Sequence, residues 1–140
     1  LTGGTDNHLM LANIGTYGLT GRQAESAVRE ANVTLNRNSI PFDPNGAWYT
    51  SGLRFGTPAL TSRGLGTDEM SEIASIMTSV LSTTKPRKIT KGKQAGQLSK
   101  ARYVADSETL EAARGRVADL LDGFPLYPEL DLEYLQKSFG

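Results

Sequence analysis

The stretch TSGLRFGTPALTSRG (50–64) decides how this chain is read. Strand alternation across GLRFG puts Leu53 and Phe55 on one face and Arg54 on the other. Two apolar side chains therefore turn toward a core, and a permanent cation turns away from it. Gly52 and Gly56 flank the pair and would let the backbone or a ligand come close. TPALTSRG then predicts a short helical turn ending at Gly64. Arg54 has two readings on residue chemistry alone: a buried structural ion pair, or an anchor for a carboxylate or phosphate, a carboxylate being gripped through two parallel hydrogen bonds.

Working outward, HLMLANI (8–14) is an apolar run bounded by GGTDN and GTYG and predicts a buried strand. Thr20 and Gln23 form a capping box ahead of Ala24, Ala27, Val28 and Ala31, which recur at helical spacing, so a helix is expected over 21–31. VTLN (33–36) predicts a second short strand, and RNSIPFDPNGAWYT (37–50) a loop or flap. The third strand is GLRFG. Downstream, Met70, Ile73, Ala74, Met77, Val80 and Leu81 make one stripe of a long helix capped by Thr67 or Asp68. Leu110, Ala113, Val117, Leu120 and Leu121 make another, stopped by Gly123, and a last short helix is expected near 132–139. The sum is an α+β domain: a small three-stranded sheet with helices packed on one face. Periodicity does not fix the direction in which the strands pair.

At 140 residues the chain is one domain by size, 1–140, with 38% apolar residues and charges that balance to zero. With no cysteine it has no disulfide frame, thiolate metal site or cysteine nucleophile. No apolar run approaches a membrane span of roughly 20 residues, and no signal peptide is visible. The chain opens at Leu1 in turn and strand chemistry without an initiator methionine, which predicts a piece of a longer protein. Residues 85–102 hold seven basic side chains and no acidic one, and predict an exposed, mobile insertion within 85–105. As a nucleic-acid surface this segment offers a single aromatic at its edge, Tyr103, where a stacking platform needs several. His8, the sole histidine, is expected to hydrogen-bond turn groups, with Thr5 and Asp6 closing that turn and Asp43 forming a turn within the flap. Arg37 and Arg63 read as structural or surface residues. No phosphate-binding loop matches.

The segments LTGGTDNHLML, GLTGRQAE, LNRNSIPFDP and TSGLRFGTPALTSRG, in this order and spacing, resemble the C-terminal part of serine hydroxymethyltransferase. The likeness is strong over 1–83 and weaker beyond Lys85, although FPLYPELDLEYL suits a longer bacterial subgroup. It implies the small C-terminal domain of a fold-type I pyridoxal 5'-phosphate enzyme, one that interconverts serine plus tetrahydrofolate and glycine plus methylenetetrahydrofolate. It further implies that Arg54 binds the carboxylate of serine or glycine and that Asn38 contacts folate, with Ser39 lining the same loop. The family's cofactor lysine ends a threonine-rich stretch closing in His-Lys, and STTKPRK does not match it. The resemblance thus implies no catalytic residue here, a cofactor held mainly by an N-terminal large domain, and an inactive isolated chain. It also implies a cytoplasmic homodimer or tetramer, with neither nucleic acid nor membrane as partner. A second reading is a non-catalytic interaction module that uses the basic segment 85–102 as its contact surface.

Overall fold

The computed structural model describes residues 1–130 and 132–139. Three strands, β1 (Leu9–Asn13), β2 (Asn36–Asn38) and β3 (Gly52–Gly56), form a sheet in the order β1-β3-β2. β3 runs antiparallel to both neighbours, which settles what periodicity left open. The expected α+β class with a small three-stranded sheet is the observed one. The second strand begins at Asn36, later than VTLN would place it. Its predecessors leave a left-handed Asn32 at φ 63, and Leu35 is buried, so this stretch seats an apolar side chain before any pairing starts.

Helix α1 (Gly21–Glu30) follows β1 and lies at the centre of the domain. Its capping box forms as the sequence predicts, with Thr20 Oγ1 accepting from the Gln23 N–H and Gln23 Oε1 accepting from the Thr20 N–H. Ala24, Ala27, Val28 and Ala31 are fully buried together with Leu53 of β3. A four-residue helix α2 (Gly46–Tyr49) lies inside the flap, and α3 (Pro58–Ser62) follows β3. Helix α4 (Thr67–Thr83) is capped differently from expectation: Gly66 is the N-cap, and Glu69 accepts from its N–H at 2.7 Å.

Only Val80 and Leu81 of the expected α4 stripe enter the core, joined by Ile76, which lies outside that stripe. Met70, Ile73, Ala74 and Met77 face Met10, Ala12 and Phe55 across an open apolar cleft of about 660 Å³. Leu53 and Phe55 thus lie on the helix-covered side of the sheet, and Arg54 on the other.

The basic segment departs most from the sequence reading. It forms a hairpin of β4 (Lys85–Lys88) and β5 (Leu98–Val104), antiparallel with an irregularity between Pro86 and Lys88. Along β5 the partly buried residues are Ser99, Ala101 and Tyr103, alternating with exposed Leu98, Lys100, Arg102 and Val104. The period of two is present but is written in residue types that a hydropathy scan does not register. The hairpin is tied to α1: Gln23 Nε2 donates to the carbonyls of Ser99 and Arg102 at 2.7 and 2.9 Å, and Thr20 Oγ1 donates to that of Lys100 at 2.7 Å. The Tyr103 hydroxyl donates to Glu30. Burial first, and then the Glu30 carboxylate, raise the Tyr103 pKa, so the phenol stays protonated.

Helix α5 (Ser107–Gly123) is capped by Asp106, which accepts from the Thr109 N–H at 2.8 Å, and packs on α4 through Leu110, Ala113 and Val117. Glu72 and Arg116 form a two-pronged ion pair between these helices at 2.7 and 2.8 Å. Arg63 donates to the carbonyls of Phe124 and Leu121 at the end of α5, the structural role its position suggested. A last helix, α6, spans Leu132–Phe139. No helix among the described residues is long and apolar enough to cross a membrane.

Candidate functional site

Register places Arg54 directly opposite Asn36 on β2 and Leu11 on β1. Asn36 and Asn38 are two apart on their strand, so both share Arg54's face of the sheet. Arg54 is exposed, and its Nε donates to Asn36 Oδ1 at 3.1 Å. Among the described residues no carboxylate pairs with it. Of the two readings of Arg54, the internal ion pair is therefore not formed among the described residues. The Asn36 amide is itself oriented, because its Nδ2 donates to the Arg37 carbonyl at 2.9 Å.

The glycines beside Arg54 make room for this chain's own atoms. A Cβ on Gly52 would stand 2.7 Å from Ile40 Cγ2 and 2.8 Å from the Asn38 carbonyl. On Gly56 it would stand 2.7 Å from the His8 carbonyl. Of the two expectations for these glycines, close approach of the backbone or of a ligand, the first is met: neighbouring backbone and the Ile40 side chain fill the space.

Asn38 and Ser39 lead from β2 into the flap; Asn38 Nδ2 donates to the Ser39 carbonyl at 2.7 Å, and Ser39 is exposed. The flap closes on Asp43. Its carboxylate accepts from the N–H groups of Ile40, Asn45 and Ser51 and from the Ser51 hydroxyl, at 2.7 to 3.1 Å. Partial burial works to raise the Asp43 pKa, but the Ser51 hydroxyl and the three backbone donors together outweigh it, and the carboxyl is held below its ordinary value. Asp43 is thus the turn-former the sequence suggested, and it joins the loop of Asn38 to the strand of Arg54.

The far end of the flap is strained. Thr50 has φ 57 and ψ 172, a combination that side chains rarely tolerate, and its buried hydroxyl has no partner among the described residues. Its N–H donates to the Gly46 carbonyl and its carbonyl accepts from the Gly21 N–H, which hold the conformation. A Cβ on Gly21 would meet Thr50 Oγ1 at 2.0 Å, so this crossing of α1 and flap requires glycine. The guanidinium carbons of Arg22 on α1 and Arg37 on β2 lie 5.2 and 5.9 Å from the ring centre of Trp48, holding α2 against both elements. Arg37 also pairs with Glu25 at 2.7 Å, in keeping with a structural role.

His8 is exposed, and its ring makes no hydrogen bond among the described residues. The turn before β1 is closed by Thr5 and Asn7 instead: Asn7 Oδ1 accepts from the Leu9 N–H at 2.7 Å, and Thr5 Oγ1 donates to the Leu9 carbonyl at 2.8 Å. Of the two residues expected to close this turn, Thr5 does so, Asn7 takes the part expected of Asp6, and the hydrogen bond expected of the His8 ring is not made among the described residues. Sequence reasoning also missed Asn36 and Thr50. Asn36 was visible in LNRN as a polar residue one alternation from Asn38, had the strand been started there. No sequence signal marks Thr50, whose strain is set by Gly21 across the fold.

Fold and site together define a class: a small α+β domain that holds an arginine, free of internal carboxylates among its described residues, on the open face of its sheet. The chain belongs to the serine hydroxymethyltransferase family, whose model matches residues 1–77. It is 55% identical over 133 residues to a serine hydroxymethyltransferase of Salinispora tropica, covering 94% of this chain and 27% of that protein. Against those of Treponema pallidum and Mycolicibacterium smegmatis it is 51% and 50% identical, covering 99% and 94% of this chain and 23% and 25% of theirs. The chain therefore spans about a quarter of the length of these relatives.

Proposed function

We propose that this chain is the substrate-binding C-terminal domain of a serine hydroxymethyltransferase that interconverts serine plus tetrahydrofolate and glycine plus 5,10-methylenetetrahydrofolate. The observation that carries the reading is Arg54, a guanidinium held on a rigid central strand with no carboxylate partner among the described residues. In this reading its free N–H groups take the carboxylate of serine or glycine, fixing orientation as well as charge. Asn38 contacts the folate and Ser39 extends that contact, both on the loop that Asp43 fastens to Arg54's strand.

The family implies pyridoxal 5'-phosphate, whose chemistry is to stabilise a carbanion at the substrate's α-carbon. Strands β1, β2 and β3 carry no lysine, so no side chain of the sheet offers an amine for attaching that group covalently. The residues here suit a substrate carboxylate and not the cofactor, and no step through the cofactor is assigned to them. The proposal places the cofactor in an N-terminal large domain, the working enzyme in a cytoplasmic homodimer or tetramer, and no catalytic activity in this domain alone.

The test is glycine affinity in the full-length enzyme. Arg54→Ala is expected to weaken glycine binding on the order of a hundredfold, from the loss of a charge-assisted, two-pronged contact. Arg54→Lys keeps the charge but not the planar fork, and falls well short of wild type. Glycine affinity within twofold of wild type in Arg54→Ala would overturn the assignment.

A further inference from the structure

We infer that Asn36 is a positioning residue for the amino-acid substrate: by occupying the Nε–H of Arg54, it leaves the terminal pair of guanidinium nitrogens as the edge that takes the carboxylate. The inference rests on the proposed role of Arg54. Its geometry is independent of that role. Asn36 stands directly across the ladder from Arg54, and its Oδ1 accepts the Nε–H at 3.1 Å. The amide cannot turn over without loss, since its Nδ2 is spent on the Arg37 carbonyl at 2.9 Å and a flipped amide would set N–H against N–H at Arg54.

An arginine can meet a carboxylate side-on, through Nε and one terminal nitrogen, or end-on, through both terminal nitrogens. With Nε committed to Asn36, the end-on approach is the one that keeps every existing bond. An exposed arginine side chain otherwise samples many rotamers, and freezing them on binding costs affinity. Asn36 removes part of that cost before the substrate arrives. It therefore acts on serine and glycine through Arg54 and makes no contact with the substrate itself.

The experiment is a cycle in the full-length holoenzyme. Glycine dissociation constants are measured for wild type, Asn36→Ala, Arg54→Ala and the double variant, with tetrahydrofolate KM and kcat at saturating serine alongside. Asn36→Leu, of nearly the same shape but without an acceptor, is carried in parallel so that a cavity or poor folding of one variant does not decide the result. Loss of one hydrogen bond to a charged group predicts glycine binding weakened about tenfold in both Asn36 variants. Tetrahydrofolate KM and kcat stay within twofold of wild type, and the double variant is no weaker than Arg54→Ala alone. If Arg54→Ala loses glycine while the Asn36 variants keep it, the positioning role is overturned and the anchor stands. If Arg54→Ala binds glycine normally, the anchor itself falls and this inference with it. A uniform drop in glycine affinity, folate affinity and kcat in the Asn36 variants marks a structural residue and overturns the positioning role.

Discussion

At the scale of single residues, Asp43 shows how much one carboxylate can organise. Four donors from three parts of the flap converge on it, and they bind the ionised form better than the protonated one. The folded-state pKa therefore lies below the ordinary 3.8, and the unfolded chain binds the proton more readily. By linkage, the stabilisation is fully present above the unfolded value and is lost as pH falls through the lower, folded one. The flap should thus stay closed at neutral pH and loosen only below about 3.8. Asp43→Asn should loosen it at all pH values, because the amide keeps one acceptor oxygen in place of two. Proteolytic cleavage within 40–51 at pH 7 is the measurement, and equal cleavage rates for Asp43→Asn and wild type would sink the argument. Asp43 was legible because a turn-forming aspartate acts on its near neighbours in sequence. Arg54's direction was legible for a similar reason, strand alternation being local. Asn36 was not, because its meaning depends on a cross-strand register that no local pattern records.

Among the elements, the helices were the most legible and the basic hairpin the least. Helix α4 announces itself by about two apolar residues per turn on one face, and α1 by a capping box followed by alanines at helical spacing. The β4–β5 hairpin conceals its alternation because its inward positions are Ser99, Ala101 and Tyr103 and its outward positions include Leu98 and Val104. What fixes it is a long-range contact: Gln23, fully buried, spends its amide N–H groups on two carbonyls of the β5 region while its oxygen caps α1. The capping box was readable from four adjacent residues, whereas its second use spans a separation of 76 residues and more. Gln23→Ala should leave two hairpin carbonyls and one helix-end N–H without these partners, at about 1–3 kcal/mol for each that stays buried. Hydrogen exchange over 98–104 should rise well before exchange in α4 does. Unchanged protection of that segment in Gln23→Ala would mean that Thr20, Tyr103 and the hairpin's own ladder suffice to hold it.

For the molecule as a whole, the α+β class followed from the order of patterns, but the arrangement of its layers depends on α1. That helix touches the three-stranded sheet, the hairpin and α4, and several of the buried positions along it are small: Ala24, Ala27 and the C-cap Ala31 are fully inaccessible. Small side chains let three layers approach one helix closely, and the hydropathy stripe records that these positions are apolar without recording why they must be short. The α4 stripe blurred two surfaces in the same way, since Val80 is sealed in the core while Met70, Ile73 and Met77 line an open cleft. A hub of this kind should fail as a unit. Ala27→Leu adds three carbons where packing leaves no space, and overpacking of this sort costs about 1–3 kcal/mol. Because the strain falls on a helix shared by every layer, the loss should appear as one cooperative transition at lower urea concentration, with an unchanged slope. Separate early melting of the hairpin in Ala27→Leu would show instead that the layers around α1 are independent. An unshifted midpoint would show that α1 moves aside freely, and that its alanines are not what sets the spacing of the fold.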